Sequence, residues 1–221
     1  EAVMSMTLDG GHDAQEAIMT TDLIPKEIAL EFDIQDTTVT LGGMAKGSGM
    51  IHPNMATMIG ILTTDVNISR KLLDKALKEV VATTFNRISV DGDTSVCDMV
   101  LILANGLADN PGIVTEGEDY NIFKEALQVA CTELSRLIAK DGEGATKLIE
   151  ISVEGASSET DAYAVVSSVA KSPLVKTAMF GEDANWGRII TAIGYSGAQF
   201  DSERVDIFIG DLMVCNNGAA V

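Results

Sequence analysis

The stretch from Gly42 to Asp65, GGMAKGSGMIHPNMATMIGILTTD, holds the residues whose order suggests chemistry. A glycine-rich, proline-broken loop ends in Ala56-Thr57, and Thr57 leads directly into the apolar run Met58 to Leu62. A threonine hydroxyl is a weak nucleophile unless a base sits beside it. One solution makes Thr the first residue of a chain, so that its own α-amino group takes the proton. That amine titrates near about 7.7–8.0, which suits neutral pH. Thr57 is internal as encoded, so this route requires the chain to cut itself between Ala56 and Thr57. Small Ala56 leaves its carbonyl open to attack. Spacing alone leaves a second reading open, a plain junction between loop and strand.

Other signatures fail on inspection. Gly42-Gly43-Met44-Ala45-Lys46-Gly47-Ser48 has the composition of a phosphate loop, but Ser48 stands where Lys must follow the second Gly. Gly47-Ser48-Gly49-Met50-Ile51-His52 begins like a dinucleotide fingerprint and lacks the third Gly. Asp91-Gly92-Asp93-Thr94-Ser95 starts like a calcium loop, yet Val96 occupies the position that needs Gly. It is expected to be a turn whose carboxylates bond local amides. No Gly-x-Ser-x-Gly elbow is present. His52 precedes Pro53 and is read as structural rather than as a general base. Cys97, Cys131 and Cys215 have no metal-ligand spacing, and with only His12 and His52 beside them no zinc set can be assembled.

The elements that must position Ala56-Thr57 follow from periodicity. Residues 14–21 read as the end of a helix. Ile28, Leu30, Phe32 and Ile34 alternate as a half-buried strand does, and Met58 to Leu62 reads as a buried strand. Ser69 is placed to cap a helix carrying Leu72, Leu73, Ala76, Leu77, Val80 and Val81. Ile88 to Val90 and Met99 to Ala104 read as strands, and Ile122 to Ile138 as a second amphipathic helix. Leu148 to Val153 alternates as a strand, and a helix capped at Thr160 or Asp161 runs to about Ala170. Ile189 to Tyr195 and Val205 to Val214 close the chain as strands. Helices interleaved with strands make an α/β or α+β fold.

The 221 residues carry 46% hydrophobic and 22% charged side chains, the balance of a globular enzyme rather than a disordered tail. A formal net charge of −18 repels phosphate backbones and anionic lipid, so neither nucleic acid nor membrane is an expected partner. The longest apolar runs are too short to span a bilayer. No basic stretch precedes an apolar one at the N-terminus, and the chain reads as reduced and cytoplasmic. It begins on Glu1 and ends in Asn-Asn-Gly-Ala-Ala-Val, as an internal piece of a longer protein would.

The segment Gly42 to Met58 closely resembles the self-cleavage segment of the bifunctional arginine-biosynthesis family, glutamate N-acetyltransferase/ornithine acetyltransferase. The resemblance continues, in the family's order, at Ala17-Ile18-Met19-Thr20-Thr21-Asp22, at Phe85 to Ser95, at Asp141 to Lys147, and at Gly181 to Ile189. It implies a two-lobed α+β sandwich of sheets and helices, self-cleaved into intertwined α and β pieces. Residues 1–56 would be the C-terminal part of the α piece and residues 57–221 the N-terminal part of the β piece.

The resemblance also implies an activity, the transfer of an acetyl group from N-acetylornithine to glutamate through acetyl-Thr57 by a ping-pong route. Thr57 would be both the scission nucleophile and the acetyl acceptor, with Thr20, Lys46, Thr57 and Glu143 binding substrate. Cationic Lys46 suits a substrate carboxylate, anionic Glu143 an ammonium, and Thr20 a neutral hydrogen bond. The family implies no cofactor and no metal, acetyl-CoA as co-substrate in some members, and a homo-oligomer of αβ heterodimers. Two departures stand out. The family's Thr-Gly oxyanion pair should precede this segment and nothing before Thr20 supplies it, while the C-terminal substrate contacts fall beyond Val221. Cys97-Asp98 lies where the family has Thr-Asn-Asp, a variation expected to affect packing only. The competing readings are a self-processing Thr-nucleophile aminopeptidase or amidase, and a truncated non-catalytic chain retaining the fold.

Overall fold

The computed structural model describes residue 4, residues 6–52 and residues 58–221. The described residues form six α-helices and two sheets, a mixed α+β fold, in two compact units, residues 1–145 and 146–221. This division by packing differs in kind from the division by scission expected at 1–56 and 57–221.

In the first unit β1 (Lys26–Ile34), β2 (Thr37–Lys46), β3 (Ile59–Thr64) and β4 (Met99–Ala104) lie side by side in that order. Alternation along β1 turns Ile28, Leu30, Phe32 and Ile34 toward the core and leaves Glu27, Glu31 and Asp33 exposed. A two-residue turn with Gln35 at φ 54° joins β1 to β2, so Ile34 faces Thr37 and Lys26 faces Ala45. Strand β3 runs antiparallel to β2 with Lys46 opposite Ile59, and parallel to β4 with Ile59 opposite Met99. The parallel pair requires a long crossover, which α2 (Arg70–Thr83) supplies.

Helix α3 (Glu118–Lys140) buries Tyr120, Phe123, Leu127, Ala130, Leu134 and Ile138, a stripe at helical spacing that joins the core shared by α2 and the sheet. Gly43 lets α3 approach closely, since a Cβ there would sit 3.1 Å from Leu134 Cδ1. The preceding helix α1 (Gly11–Ile18) is anchored by buried Gln15, whose Nε2 donates to Ala45 O at 2.8 Å. Ser69 stands at the N-cap of α2, but its side chain accepts no capping bond. Residues 88–90 are not a strand; they follow a 3-10 turn, Phe85–Arg87, and Val90 N donates to Ile51 O at 2.8 Å.

The second unit packs α4 (Glu159–Lys171), α5 (Pro173–Phe180) and α6 (Trp186–Gly194) with a small antiparallel sheet of β5 (Ile207–Ile209), β6 (Leu212–Asn216) and β7 (Ala219–Ala220). Its core holds Val165, Val169, Val175, Ala192, Ile193, Ile207 and Cys215. Residues 189–195, expected as a strand, are mostly α6. The Asn185 side chain caps that helix by accepting from Arg188 N at 3.2 Å, and Ile189, Ile190 and Ile193 then share a helical stripe. The segment 148–153, expected as a strand, packs Ile151 and Val153 on the core, yet joins no ladder among the described residues. Helix α4 is capped by Ser158, not by Thr160 or Asp161.

Candidate functional site

Ala56 and Thr57 lie outside the described residues, so the site is built from what flanks them. Met58 is 3% exposed and begins the approach to β3. Its N–H donates to Asp98 Oδ1 at 2.8 Å, and its carbonyl accepts from Met99 N at 3.0 Å. Ile59 faces Lys46 on one side and Met99 on the other, so Lys46 and Asp98 lie at the end of the sheet where β3 begins.

Two of the expected substrate contacts meet directly. Lys46 is the last residue of β2 and only 6% exposed, and its Nζ donates to Thr20 Oγ1 at 3.0 Å. A cation this sheltered, with an exposed hydroxyl as a partner, is suited to an anionic group arriving from solvent. Glu143 reaches the same loop from the turn after α3. Its N–H donates to Ser48 O at 3.0 Å, and a Cβ on Gly49 would sit 2.6 Å from the Glu143 carboxyl carbon. Gly49 is therefore the residue that makes room for the carboxylate.

Beneath these groups lies a buried ionic cluster that the sequence reading did not assign. Lys26 Nζ donates to Asp22 Oδ1 at 2.7 Å and to Asp141 Oδ2 at 2.6 Å, with side-chain exposures of 0, 0 and 5%. Asp22 also accepts from Gly47 N at 2.7 Å and Thr20 N at 3.2 Å, while Asp141 accepts from Leu23 N at 2.9 Å. Ser48 Oγ donates to Asp141 O at 2.7 Å. Burial pushes the Asp22 carboxyl up, but the Gly47 amide, Lys26 and the Thr20 amide together outweigh it and hold the group below the usual carboxylate range. The cluster thus fixes Thr20 and the Gly47–Gly49 loop to each other. Its signal in the sequence was Lys26, a charge at an inward position of the β1 alternation.

Asp91 fulfils its expected role as a turn residue, accepting from Asp93 N at 3.0 Å, and does more. It receives Met50 N at 2.6 Å and Ile51 N at 3.1 Å, which pins the loop on its way to Ala56-Thr57. Met50 holds φ 56° there. His52 Nδ1 and Ser89 Oγ lie 3.2 Å apart, in keeping with a structural histidine. The other nucleophile class is represented by Cys131, whose thiol is buried in α3 and pushed up to about 12 by that burial, which leaves it unreactive. No group of three or more His, Cys, Asp and Glu that could hold a metal occurs among the described residues. No described helix is long and apolar enough to cross a membrane.

In the second unit, motif residues serve as helix caps. Lys147 Nζ donates to Met179 O at 3.0 Å and Phe180 O at 3.1 Å, at the C-terminus of α5.

Residues 1–221 match the family model of the ArgJ family. The chain belongs to the ArgJ family. It is 54% identical over 220 residues to the arginine biosynthesis bifunctional protein ArgJ of Symbiobacterium thermophilum, covering 100% of this chain and 55% of that protein. It is 50% identical over 215 residues to the protein of the same name from Bacillus subtilis, covering 97% and 53%. The chain therefore spans about half the length of these ArgJ relatives. The crystal structure of arginine biosynthesis bifunctional protein ArgJ from Bacillus halodurans is similar at a TM-score of 0.73 and 49% identity, covering 75% of this chain and 78% of that one. Family membership and the α+β fold agree with the resemblance carried by the Gly42–Met58 segment.

Proposed function

We propose that the protein containing this chain transfers an acetyl group from N-acetylornithine to glutamate in arginine biosynthesis, through an acetyl ester on Thr57. The observation that carries the reading is the Lys46 Nζ–Thr20 Oγ1 contact at 3.0 Å, at the end of the sheet where β3 begins at Ile59, two residues after Thr57 in sequence. Its bias toward an acetyltransferase comes from ArgJ family membership.

Two stages use the same hydroxyl. In processing, Thr57 Oγ attacks the Ala56 carbonyl, the Ala56–Thr57 peptide bond breaks, and the acyl group moves from nitrogen to oxygen. Water then hydrolyses the ester, which leaves a carboxylate on Ala56 and a free amine on Thr57. In turnover, that amine takes the hydroxyl proton as Thr57 attacks the acetyl carbonyl of N-acetylornithine, and returns a proton to the departing ornithine amine. Glutamate's amine then takes the acetyl group from Thr57. Lys46, steadied by Thr20, receives the α-carboxylate of each amino acid, and Glu143 receives a substrate ammonium. The Gly-rich loop serves both stages because Asp91 and the Asp22 cluster hold it from two sides.

Acetyl-CoA as a second acetyl donor, a cytoplasmic location and an assembly of αβ heterodimers belong to the same proposal. No bound cofactor is needed for the ester route. The processing step is tested by N-terminal sequencing of the full-length protein on a denaturing gel. A β piece beginning at Thr57, and an uncut Thr57→Ala variant, are expected. A single uncut wild-type band would contradict the reading, and net hydrolysis of N-acetylornithine with glutamate present would favour an amidase.

A further inference from the structure

Asp22 differs from its partners in the buried ionic cluster by what it holds. Its carboxylate, with no exposed side-chain surface, accepts Lys26 Nζ and Gly47 N on Oδ1, each at 2.7 Å, and Thr20 N on Oδ2 at 3.2 Å. Gly47 N belongs to the peptide that follows Lys46, and Thr20 carries the hydroxyl that Lys46 Nζ meets at 3.0 Å. One carboxylate therefore fixes the backbone on both sides of the Lys46–Thr20 contact. Asp141, the other carboxylate on Lys26, fixes neither. It accepts from Leu23 N at 2.9 Å and Ile24 N at 3.5 Å.

We propose that Asp22 is the positioning residue of the substrate-carboxylate site, clamping Thr20 and the Lys46–Gly47 peptide so that the Lys46 ammonium and the Thr20 hydroxyl meet one incoming carboxylate together. The inference rests on the reading of Lys46 and Thr20 as substrate contacts and adds the group that sets their spacing. Lys46 comes from the end of β2 and Thr20 from the segment after α1. A lysine side chain gives up much rotamer freedom when it is held to one partner. Backbones fixed beforehand lower the cost of ordering it, which is where preorganisation gains affinity.

Lys26 makes the clamp compatible with binding an anion. Its buried ammonium meets Asp22 at 2.7 Å and Asp141 at 2.6 Å, so both carboxylates of the cluster already have a cation. Among the described residues Lys46 Nζ has no carboxylate partner, and an ammonium has three donors of which Thr20 takes one. The two lysines thus divide the work, Lys26 on the protein's own carboxylates and Lys46 on the substrate's.

Asp22→Asn and Asp141→Asn, each in the processed full-length protein, separate this role from a purely structural one. Both remove one carboxylate from Lys26. Only Asp22→Asn replaces an acceptor oxygen by an NH2 group where the Thr20 and Gly47 amides converge, so that one of them is released. KM for N-acetylornithine and for glutamate should each rise about tenfold in Asp22→Asn, with kcat within about threefold of wild type. Asp141→Asn should leave both KM values within about threefold of wild type, because its amides are not those of the contact. A purely structural loss would instead lower kcat through the folded fraction and leave KM unmoved. In a Lys46→Met background, Asp22→Asn should raise KM by less than about threefold, since the two act through one contact.

An unchanged KM in Asp22→Asn, an equal rise in both Asn variants, or losses that add in the double variant overturn the assignment. If Asp22→Asn fails to fold, hydrogen exchange of the wild type decides. The Thr20 and Gly47 amides should then exchange at least about tenfold more slowly than open amides, and open exchange at either one overturns the clamp. Unchanged kcat/KM in Lys46→Met overturns the substrate reading itself, whereas a raised KM in Lys46→Met with a silent Asp22→Asn overturns this inference alone.

Discussion

Lys26 Nζ donates to Asp141 Oδ2 at 2.6 Å, joining the first residue of β1 to the turn after α3 across 115 residues of sequence. The same ammonium holds Asp22 at 2.7 Å, so one buried cation balances two carboxylates that between them receive the amides of Thr20, Leu23 and Gly47. Two of these amides bear on residues expected to meet substrate, that of Thr20 itself and that of Gly47, which follows Lys46. The cluster serves placement, because a buried ion pair is by itself weak evidence for stability.

Removing the cation alone should be costly. Lys26→Met leaves Asp22 and Asp141 buried without their counter-charge, and a loss of about 3–5 kcal/mol is expected. Chemical denaturation of the full-length protein measures it. A loss below about 1 kcal/mol would show that the carboxylates find other partners.

Asp22 gives the cluster a direction in pH. Its folded pKa lies below the unfolded value of 3.8, so its stabilising contribution is fully present above 3.8 and is lost as pH falls through the folded value. Asp22→Asn should be less stable than wild type at neutral pH, and that gap should narrow in acid below 3.8. Denaturant titrations of both proteins across this range test the sign. A gap that widens on acidification would contradict it.

Lys46 and Thr20 should matter unequally. Lys46→Met removes a charge-assisted bond to a substrate carboxylate, worth about 1.5–3 kcal/mol, or roughly ten- to a hundredfold in kcat/KM. Thr20→Val removes a neutral partner of the ammonium and should cost less. Both are measured on fully processed enzyme, because Lys46 ends the strand that precedes the proposed scission point in sequence. Unchanged kcat/KM for Lys46→Met would remove it from the site.

Gly49 and Glu143 should behave as a coupled pair. A Cβ on Gly49 would sit 2.6–2.8 Å from the Glu143 carboxyl atoms, and the carboxylate is the flexible end that must give way. Gly49→Ala should therefore weaken substrate binding with little change in stability, and should add little in a Glu143→Ala background. A double-mutant cycle on KM reads the coupling, and additive losses would contradict the contact.

The sheet end was legible because its signals are local. Alternation from Ile28 to Ile34 and the apolar runs at Met58 and Met99 mark three of the strands, whereas β2 (Thr37–Lys46) was hidden because its last residues, Gly42 to Lys46, begin the Gly-rich stretch that reads as a loop. The ionic cluster was less legible because it joins Asp22 to Asp141 through Lys26. Only the inward position of Lys26 hinted at buried charge, and its partners follow from tertiary packing. In the second unit, Ile189-Ile190 favoured a strand by β-branching, but the Asn185 cap and the stripe completed by Ile193 made a helix. Asp98 was visible as a residue and silent as a group, since its contact with Met58 depends on the parallel β3–β4 register.

The central claim is that Thr57 carries the acetyl group, and intact mass spectrometry of the β piece after rapid acid quench tests it most directly. With N-acetylornithine alone, the β piece beginning at Thr57 should gain one acetyl, about 42 Da, on its first residue. Adding glutamate without coenzyme A should discharge that adduct and release N-acetylglutamate. A β piece that never gains mass, with kinetics that require both substrates bound together, would contradict the account.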